Sequence, residues 1–362
     1  MPLCERVRKW RAPVLMAALP CAVPVGAAAG DAAPGWEAQV LLFPSLTWVA
    51  RTGAEVPAAG LPRKEATPAA SLFVRGGRGR LRFLLEAAAT DESASLERLK
   101  LGWETTRLAV WAGRFHNPAT YWHDRYHHGE YVQPSISHPP IAAFEEGGGV
   151  LPQHLVGGLA RARLPAGRRG LWELSLAAGR GPALGDGRLE PLHLTDLGRR
   201  RQGSSLVARL GWRPDELGDA EAGLVAARHR VPLAVPGAGT ARVTVLGLYG
   251  AWSGAEWEVT GKAVRMRTAL AGRRGRVTAA YLHLGRALGP QWLLYGRRDL
   301  ASGLGGDPYL GRFPHFPGRG GALGLRWDLA RGHALKLELA RHRDGGGRTL
   351  RMWGLQWSAV LP

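Results

Sequence analysis

The chain has 362 residues, and its 48 Lys and Arg against 29 Asp and Glu leave a formal net charge of +19. Its two cysteines, Cys4 and Cys21, lie near the N-terminus, so the rest of the chain contains no disulfide, no thiolate nucleophile and no Cys-based metal site. Beyond them, no apolar run reaches the ~18 residues of a transmembrane helix. The positive charge predicts an anionic partner, such as lipid phosphate or a small anion.

The first residues have the pattern of a secretory signal. Four basic side chains come first: Arg6, Arg8, Lys9 and Arg11. A short apolar stretch, 12–25, follows, and the small residues 27–29 suit cleavage. The pattern predicts a signal peptide over 1–29 and an exported mature chain over 30–362. Export makes nucleic acid an unsuitable partner.

Alternation with a period of two dominates the mature chain, and glycine and proline are spread evenly as turn signals. One example is Leu81, Phe83 and Leu85 against Arg80 and Arg82. This pattern predicts an all-β fold of about sixteen strands, within a range of fourteen to eighteen. The predicted strands are 36–50, 70–77, 79–90, 96–104, 107–115, 154–164, 171–180, 203–213, 220–232, 240–252, 256–270, 275–287, 290–300, 319–329, 333–343 and 348–361. In 256–270 the apolar phase slips after Ala263, which predicts a bulge.

A soluble sandwich would alternate in the same way, but two features favour a transmembrane antiparallel β-barrel. Tryptophans lie close to strand ends, as interfacial girdles require; they are Trp103, Trp212, Trp257, Trp292, Trp327 and Trp357. The strands have the length that a tilted strand needs to cross a bilayer. Long connections and tight turns also alternate, as in outer-membrane barrels.

The longest connection, 116–153, follows the fifth strand and is rich in aromatic residues and histidine. We expect it to fold into the lumen as a constriction or over it as a cap, with a purely structural plug as the alternative. The candidate loop residues are His116, Tyr121, Trp122, His123, Arg125, Tyr126, His127, His128, Tyr131, Glu145 and Glu146.

The loop offers weaker signals for two further kinds of site. The spacing of His123, His127 and His128 could align imidazoles on a metal, but there is no HExxH motif. Ser135 or Ser137 beside His138 could form a hydrolytic pair, but GxSxG is absent. The sequence therefore predicts no enzyme, no metal and no cofactor.

Basic residues on the polar faces of the strands form a second candidate set. They are Arg80, Arg82, Arg98, Lys100, Arg209, Lys262 and Arg326, with Arg351. Facing the lumen, they would favour anions in a pore. Alternatively, they pair across strands with Glu86, Glu173, Glu258 and Glu338 and leave the wall nonselective.

The segment Gly113–Pro118, with the sequence GRFHNP, resembles the strand-to-loop signature of proteobacterial outer-membrane porins, including the phosphate-selective type. The stretches 121–139 and 144–152 resemble a group of uncharacterised porin-like outer-membrane proteins. The resemblance implies a barrel and passage of solutes. The chain departs from such barrels at Pro362, where they usually end in an aromatic residue.

Together these features predict a porin-like channel in the outer membrane of a Gram-negative cell, passing small hydrophilic solutes with a preference for anions. The alternatives are a plugged barrel that binds or anchors and, less favoured, an outer-membrane enzyme that uses the histidines. The expected partners are outer-membrane lipid, lipopolysaccharide and small anionic or hydrophilic solutes. The oligomeric state stays open, with a homotrimer among the alternatives.

Overall fold

The computed structural model describes residues 35–362 except 59, 127–128, 146, 197, 199–200, 216–218, 236, 314 and 345. The predicted signal peptide and both cysteines lie outside the described residues. Among those described, no helix is both long and apolar enough to span a bilayer.

Sixteen long strands and one short hairpin make up the sheet structure. The strands are β1 Glu37–Thr52, β2 Lys64–Arg78, β3 Leu81–Thr90, β4 Ala94–Glu104, β5 Leu108–His116, β6 His154–Ala166, β7 Gly170–Gly181, β8 Ala183–Gly185, β9 Arg188–Glu190, β10 Gly203–Arg213, β11 Glu221–Pro232, β12 Thr240–Ser253, β13 Trp257–Leu270, β14 Arg273–Ala287, β15 Trp292–Ser302, β16 Pro317–Ala330, β17 His333–Asp344 and β18 Thr349–Ala359. The helices are α1 Glu55–Ala58 and α2 Tyr121–Tyr126, with 3₁₀ turns at Pro140–Ala142, Leu194–Asp196 and Leu310–Arg312.

All strands except β8 and β9 form one closed antiparallel barrel. Each barrel strand pairs with its neighbours along the chain, and β1 closes the barrel against β18, with Ser45 opposite Ser358. The predicted sixteen-stranded barrel is confirmed, since each predicted strand overlaps an observed one. β2 begins six residues earlier than predicted, because 64–69 pair with 45–50 of β1.

The two ends of the barrel differ. At one end, called the turn end below, two to seven residues join each strand to the next, from 79–80 to 214–220. At the other, the loop end, the connections include 53–63, 117–153, 182–202 and 303–316. The predicted asymmetry between tight turns and long loops is therefore present, and it places the long loop among others that can cover the lumen.

The outer face of the barrel is apolar and exposed. Leucines such as Leu206 and Leu224 are 62% and 60% exposed, respectively. All six tryptophans expected near strand ends lie at the turn end, and Trp292 stacks on Trp327 with 5.0 Å between ring centroids. Many exposed leucines and tryptophans on one face suit a lipid environment and not water.

The half of the lumen nearer the loop end contains a hydrophobic core. Inward residues of β11–β14, such as Val245 and Met266, pack with loop residues that include Trp122, Leu189 and Tyr309. Along β13 the inward face is therefore apolar near the loop end. The register from Trp257 to Leu270 runs without a shift, so the bulge predicted after Ala263 is wrong. The phase change reflects loops filling the lumen, which makes inward positions apolar.

Candidate pore loop and lumen

The two ends of the long loop, 117–153, are joined to each other by hydrogen bonds. The backbone N–H of Asn117 donates to the carbonyl oxygen of Gln153 over 2.8 Å, and the Asn117 side-chain amide donates to the carbonyl oxygen of Pro152 over 2.8 Å. The Asn117 side-chain oxygen also accepts from the N–H of Ala119. Both ends of the loop are thus tied to one point on the wall, between β5 and β6.

A buried carboxylate strengthens this junction of the two loop ends. Glu145 is fully buried and accepts hydrogen bonds from the backbone N–H groups of Gln153 and His154 at 2.6 and 2.9 Å, respectively. Its second oxygen lies 3.0 Å from Nδ1 of His154, whose Nε2 lies 3.0 Å from Glu97 on β4. Burial alone would raise the pKa of Glu145, but His154 and the N–H donors outweigh it and lower that pKa. The ionised carboxylate therefore fastens the loop to β6.

A second carboxylate fastens helix α2 to the wall at β6 and β10. Asp124 accepts from Arg161 of β6 at 3.0 Å and from Arg209 of β10 at 2.6 Å. Burial opposes ionisation here too, but the two guanidinium groups hold the pKa of Asp124 well below its usual range. Lys262 of β13 donates to the carbonyl oxygen of Ala119 just before the helix. Cationic side chains of the wall therefore neutralise Asp124 and fix the position of α2.

The aromatic residues of α2 pack against the wall. Tyr121 stacks on Tyr249 with 4.4 Å between ring centroids, and Trp122 meets Tyr281 edge-to-face at 5.6 Å. The hydroxyl of Tyr126 shares a 2.8 Å hydrogen bond with Thr260. Tyr121 and Trp122 are almost completely buried, so they act as anchors of the loop.

The loop then crosses to the far side of the lumen. Glu130 accepts a 2.9 Å hydrogen bond from Ser45 of β1, and the Glu130 carbonyl accepts from Lys336 of β17. Arg326 of β16 donates to the carbonyl oxygen of Tyr131 at 2.7 Å and lies over the ring of that tyrosine. These contacts lie on strands far from β6 and β10, so the loop spans the barrel.

A third set of contacts holds residues 135–137. Arg297 of β15 donates to the hydroxyl oxygens of Ser135 and Ser137 at 3.1 and 3.0 Å, respectively. Glu338 of β17 accepts from the N–H groups of Ile136 and Ser137 at 2.9 and 3.0 Å. The wall thus supplies both the cation and the anion that orient this segment.

Between the loop and the wall formed by β2, β3 and β4, a cavity of about 1110 Å³ remains. The wall side carries small inward residues, including Ala69, Ser71, Ala88 and Ser95. The loop side is formed by residues that include Glu130, Gln133, His138 and Phe144. Small side chains on these three neighbouring strands leave this space open on the wall side. Residues of other segments near the loop end, such as Leu61, Arg188 and His315, line the rest of the cavity.

The predicted location of the loop inside the lumen agrees with the structure. Its candidate residues, however, were expected to line an open path, and the described ones do not. The described candidates His116, Tyr121, Trp122, His123, Arg125, Tyr126, Tyr131 and Glu145 do not line the cavity. His116 and His123 lie in a buried aromatic cluster with His154 and Phe144. Arg125 donates to the Tyr121 hydroxyl at 3.2 Å. His127, His128 and Glu146 lie outside the described residues.

Five members of the predicted basic set face the lumen and are engaged there. Arg98 binds Glu86, Arg209 binds Glu173 as well as Asp124, and Lys100 lies 4.5 Å from the ring centroid of Trp111. Lys262 and Arg326 hold the loop. The proposed pairing with Glu86 and Glu173 is confirmed, whereas Glu258 lies beside His283 and Glu338 holds the loop.

The three other basic residues of the set lie near the barrel ends or on its outer face. Arg82 faces the lumen near the turn end and is 3.9 Å from Glu104. The predicted lumen position of Arg80 is wrong: it lies exposed in the turn after β2, 5.7 Å over the ring of Trp103. That of Arg351 is wrong too, because it is exposed on the outer face of β18, opposite Arg341. Arg80 was misplaced because β3 begins one residue after it, and Arg351 because the outer face was expected to be apolar.

The residues that line the cavity were not among the predicted candidates. A partial signal was present: the inward positions of β2, β3 and β4 near the loop end include a run of Ala, Ser and Thr. Inward positions of β7 and β16 are as small, for example Ala177 and Ala322, so this pattern alone does not single out one wall. Predicting the cavity also required the side of the lumen on which the loop lies, which depends on contacts far apart in the chain.

Two observations concern the hydrolytic pair and the metal site that the sequence offered in this loop. The hydroxyl of Ser135 donates to the Ser137 carbonyl at 2.8 Å, so its proton is not directed at His138. Among the described residues, no group of three or more His, Cys, Asp or Glu side chains is placed to hold a metal.

No family model matches the chain, and no curated protein matches its sequence. Solved structures do match in fold. The anion-selective porin from Comamonas acidovorans matches with a TM-score of 0.64 and 12% identity, over 90% of this chain and 100% of that one. The channel DcaP of Acinetobacter baumannii gives 0.58 and 11%, over 90% and 98%. OmpT of Vibrio cholerae in a trimer form gives 0.55 and 9%, over 90% and 99%. The chain therefore shares the sixteen-stranded barrel fold of outer-membrane porins.

Proposed function

We propose that this protein is an outer-membrane channel through which small hydrophilic solutes pass passively between the long loop and the wall of β2, β3 and β4. One observation carries the proposal: the loop crosses the lumen and is fastened to the other walls, yet a cavity of about 1110 Å³ remains beside it. Fixed hydrogen bonds on the other sides make the loop a rigid constriction. The apolar outer face and the ring of tryptophans support the membrane location.

We further propose that the channel favours anions. Near the turn end, the lumen carries Arg82, Arg163 and Arg213, whose side chains are 39%, 41% and 34% exposed. Their carboxylate neighbours Glu104, Glu173 and Glu221 are less exposed, at 30%, 10% and 6%. A solute at this mouth therefore meets more accessible positive than negative charge, which favours anions. The first similar structure named above is described as an anion-selective porin, and that selectivity belongs to that protein.

Assembly of several copies is part of the proposal. The outer faces of β2 and β3 carry small apolar residues such as Ala66, Ala70 and Ala87, which allow close approach of a neighbouring barrel. A homotrimer joined through this face is the assembly to test, by mass measurement of the folded protein in detergent.

Reconstitution in a planar bilayer tests the channel. Folded, purified protein should give discrete conductance steps, and a variant in which a short Gly-Ser linker replaces 118–152 should give larger ones. The variant's barrel must first be shown to be folded by its resistance to unfolding in SDS at room temperature. Folded wild-type protein that gives no steps would contradict the proposal.

A plugged barrel that binds or anchors is the second candidate. The contacts of the loop with β1, β6, β10, β13, β15, β16 and β17 favour it, because so many anchors suit a permanent plug. The two candidates differ in one result: a plug predicts conductance only after the loop is removed.

A further inference from the structure

The outer face of the barrel carries arginines placed directly opposite one another. Arg267 of β13 is paired in register with Arg276 of β14, and Arg230 of β11 with Arg242 of β12. All four side chains are exposed and point away from the lumen, because the positions that alternate with them are buried. Like charges directly across a strand pair are destabilising, so two such pairs on neighbouring strands call for a compensating anion.

The same arrangement recurs on the other side of β15. Arg319 of β16 is opposite Arg343 of β17, and Arg341 of β17 is opposite Arg351 of β18. These four side chains are also exposed on the outer face. The eight residues of the four opposed pairs are called the arginine band below.

Acidic side chains are sorted to the other face. Every Asp and Glu within β11–β18 lies at an inward position, from Glu221 on β11 to Asp344 on β17. Inside, these carboxylates have partners such as Arg213, Arg297 and loop N–H groups. Among the described residues, no carboxylate forms an ion pair with the arginine band, so any anion that neutralises it must come from outside the chain.

The height of the band matches a membrane interface. Arg267 lies ten residues beyond Trp257, which belongs to the ring of tryptophans at the turn end. At a rise of about 3.3 Å per residue and a tilt of roughly 40°, ten residues climb about 25 Å. That is the height of the apolar band of an outer-membrane barrel. Tryptophans mark one interface of the bilayer, and arginines replace them at the other.

We propose that the arginine band binds phosphate groups of lipid headgroups in the leaflet at the loop end. Arginine presents a planar fork of donors that fits phosphate oxygens in a bidentate manner, and a phosphate between two opposed arginines relieves their repulsion. A lipid with two phosphates bridges neighbouring pairs. The inference rests on the membrane location in the proposed function and on none of its statements about conduction.

Lipid retention by the folded protein tests this. The probes are bisphosphorylated lipid A and the same lipid with its phosphates removed, added to protein in neutral detergent and counted by native mass spectrometry. The test variant is Arg267→Gln with Arg276→Gln. The matched control is Arg78→Gln with Arg286→Gln, two exposed arginines at the turn end. A third variant, Arg267→Lys with Arg276→Lys, keeps the charge but loses the bidentate geometry.

We expect the wild-type protein and the control to bind the phosphorylated lipid, and the Gln pair to bind it roughly thirtyfold more weakly, since each of the two lost cations contributes about 1 kcal/mol near a lipid surface. The Lys pair should lie between them. If the Gln pair does not fold, the same comparison is made with Arg341→Gln and Arg351→Gln. Unchanged lipid binding in the folded Gln pair would overturn the proposal.

Two other outcomes also count against it. Equal binding of the dephosphorylated lipid would show that the acyl chains alone are recognised. Displacement of the lipid by millimolar inorganic phosphate would assign the band to a free anion. Conductance in a phosphatidylcholine bilayer separates this inference from the channel: lipid binding without conductance defeats only the channel, and conductance without phosphate-dependent binding defeats only the lipid site.

Discussion

Glu145 and His154 form a buried hydrogen-bonded pair, 3.0 Å apart, at the place where the long loop returns to the barrel wall. The pair lies nine positions apart in the chain and closes the segment 146–153 onto the start of β6. Since Glu145 also accepts two backbone N–H groups, one carboxylate organises the whole return of the loop. The constriction therefore depends on a residue that does not line the cavity.

Replacing Glu145 by Gln should loosen this return. The amide keeps the size of the side chain but loses the charge that strengthens three hydrogen bonds, so we expect a loss of about 1–3 kcal/mol in the free energy of unfolding. Urea unfolding followed by tryptophan fluorescence measures it. Glu92→Gln, an exposed site in the turn between β3 and β4, is the control and should change little. Equal stability of the two variants would show that the charge of Glu145 does not stabilise the protein.

Acid should release the loop. The pKa values of Asp124 and Glu145 are below their ordinary values in the folded protein, so the unfolded chain binds more protons. Their stabilisation is complete above the ordinary carboxyl pKa of about 4 and is lost as pH falls through the lower native values. Protease cleavage within 117–153 should therefore stay slow at neutral pH and accelerate only below about pH 4. In the Asp124→Asn variant the loop should already be cleaved faster at neutral pH. Faster cleavage of the wild-type protein near pH 6 would contradict the role of these two carboxylates.

Gly129 should tolerate no side chain. Its φ of +80° is in the left-handed region, and a Cβ there would lie 2.3 Å from Cβ of Phe43 on β1. Gly148 has a φ of +82° but nothing within 4 Å of the corresponding Cβ position. Gly129→Ala should thus destabilise the protein by about 1–3 kcal/mol more than Gly148→Ala, since only the first adds a clash to the backbone strain. Equal losses in urea unfolding would mean that the loop does not pack on Phe43.

How far the sequence predicts this fold depends on the face considered. Near the turn end, tryptophans and leucines alternate with polar residues, and the expected phase is correct because the outer face meets one environment throughout. Near the loop end of β13 the phase is the reverse of the expected one: Val264 and Met266 point inward, and Arg265 and Arg267 point outward. The local pattern could not distinguish this from a bulge, because the apolar partners inside come from distant loops.

The candidate site was predicted at the level of the segment and missed at the level of the residue. Aromatic and histidine content singles out 116–153, but the same side chains, Tyr121 and Trp122 among them, are its anchors. The residues beside the cavity, such as Ser71 and Gln133, are ordinary in composition and become identifiable only when three strands and the loop are brought together.

Selectivity should follow the arginines at the turn end. Replacing Arg82 and Arg163 by Gln removes two accessible charges from the lumen while their carboxylate neighbours remain. In a bilayer with unequal KCl on the two sides, we expect the reversal potential to shift toward cation preference. Arg286→Gln, an exposed outward arginine at the same end, should leave it unchanged. A shift of the same size in both would indicate a general surface-charge effect and not a lumen effect.

The most direct test fills the cavity from one side. Ser71 points into the cavity from β2, whereas the next residue, Leu72, is exposed on the outer face. Single-channel conductance in a planar bilayer is measured for Ser71→Trp and for Leu72→Trp. The proposed path between the loop and β2–β4 predicts a marked fall in conductance for the first and wild-type conductance for the second. Unchanged conductance in a folded Ser71→Trp protein would contradict it.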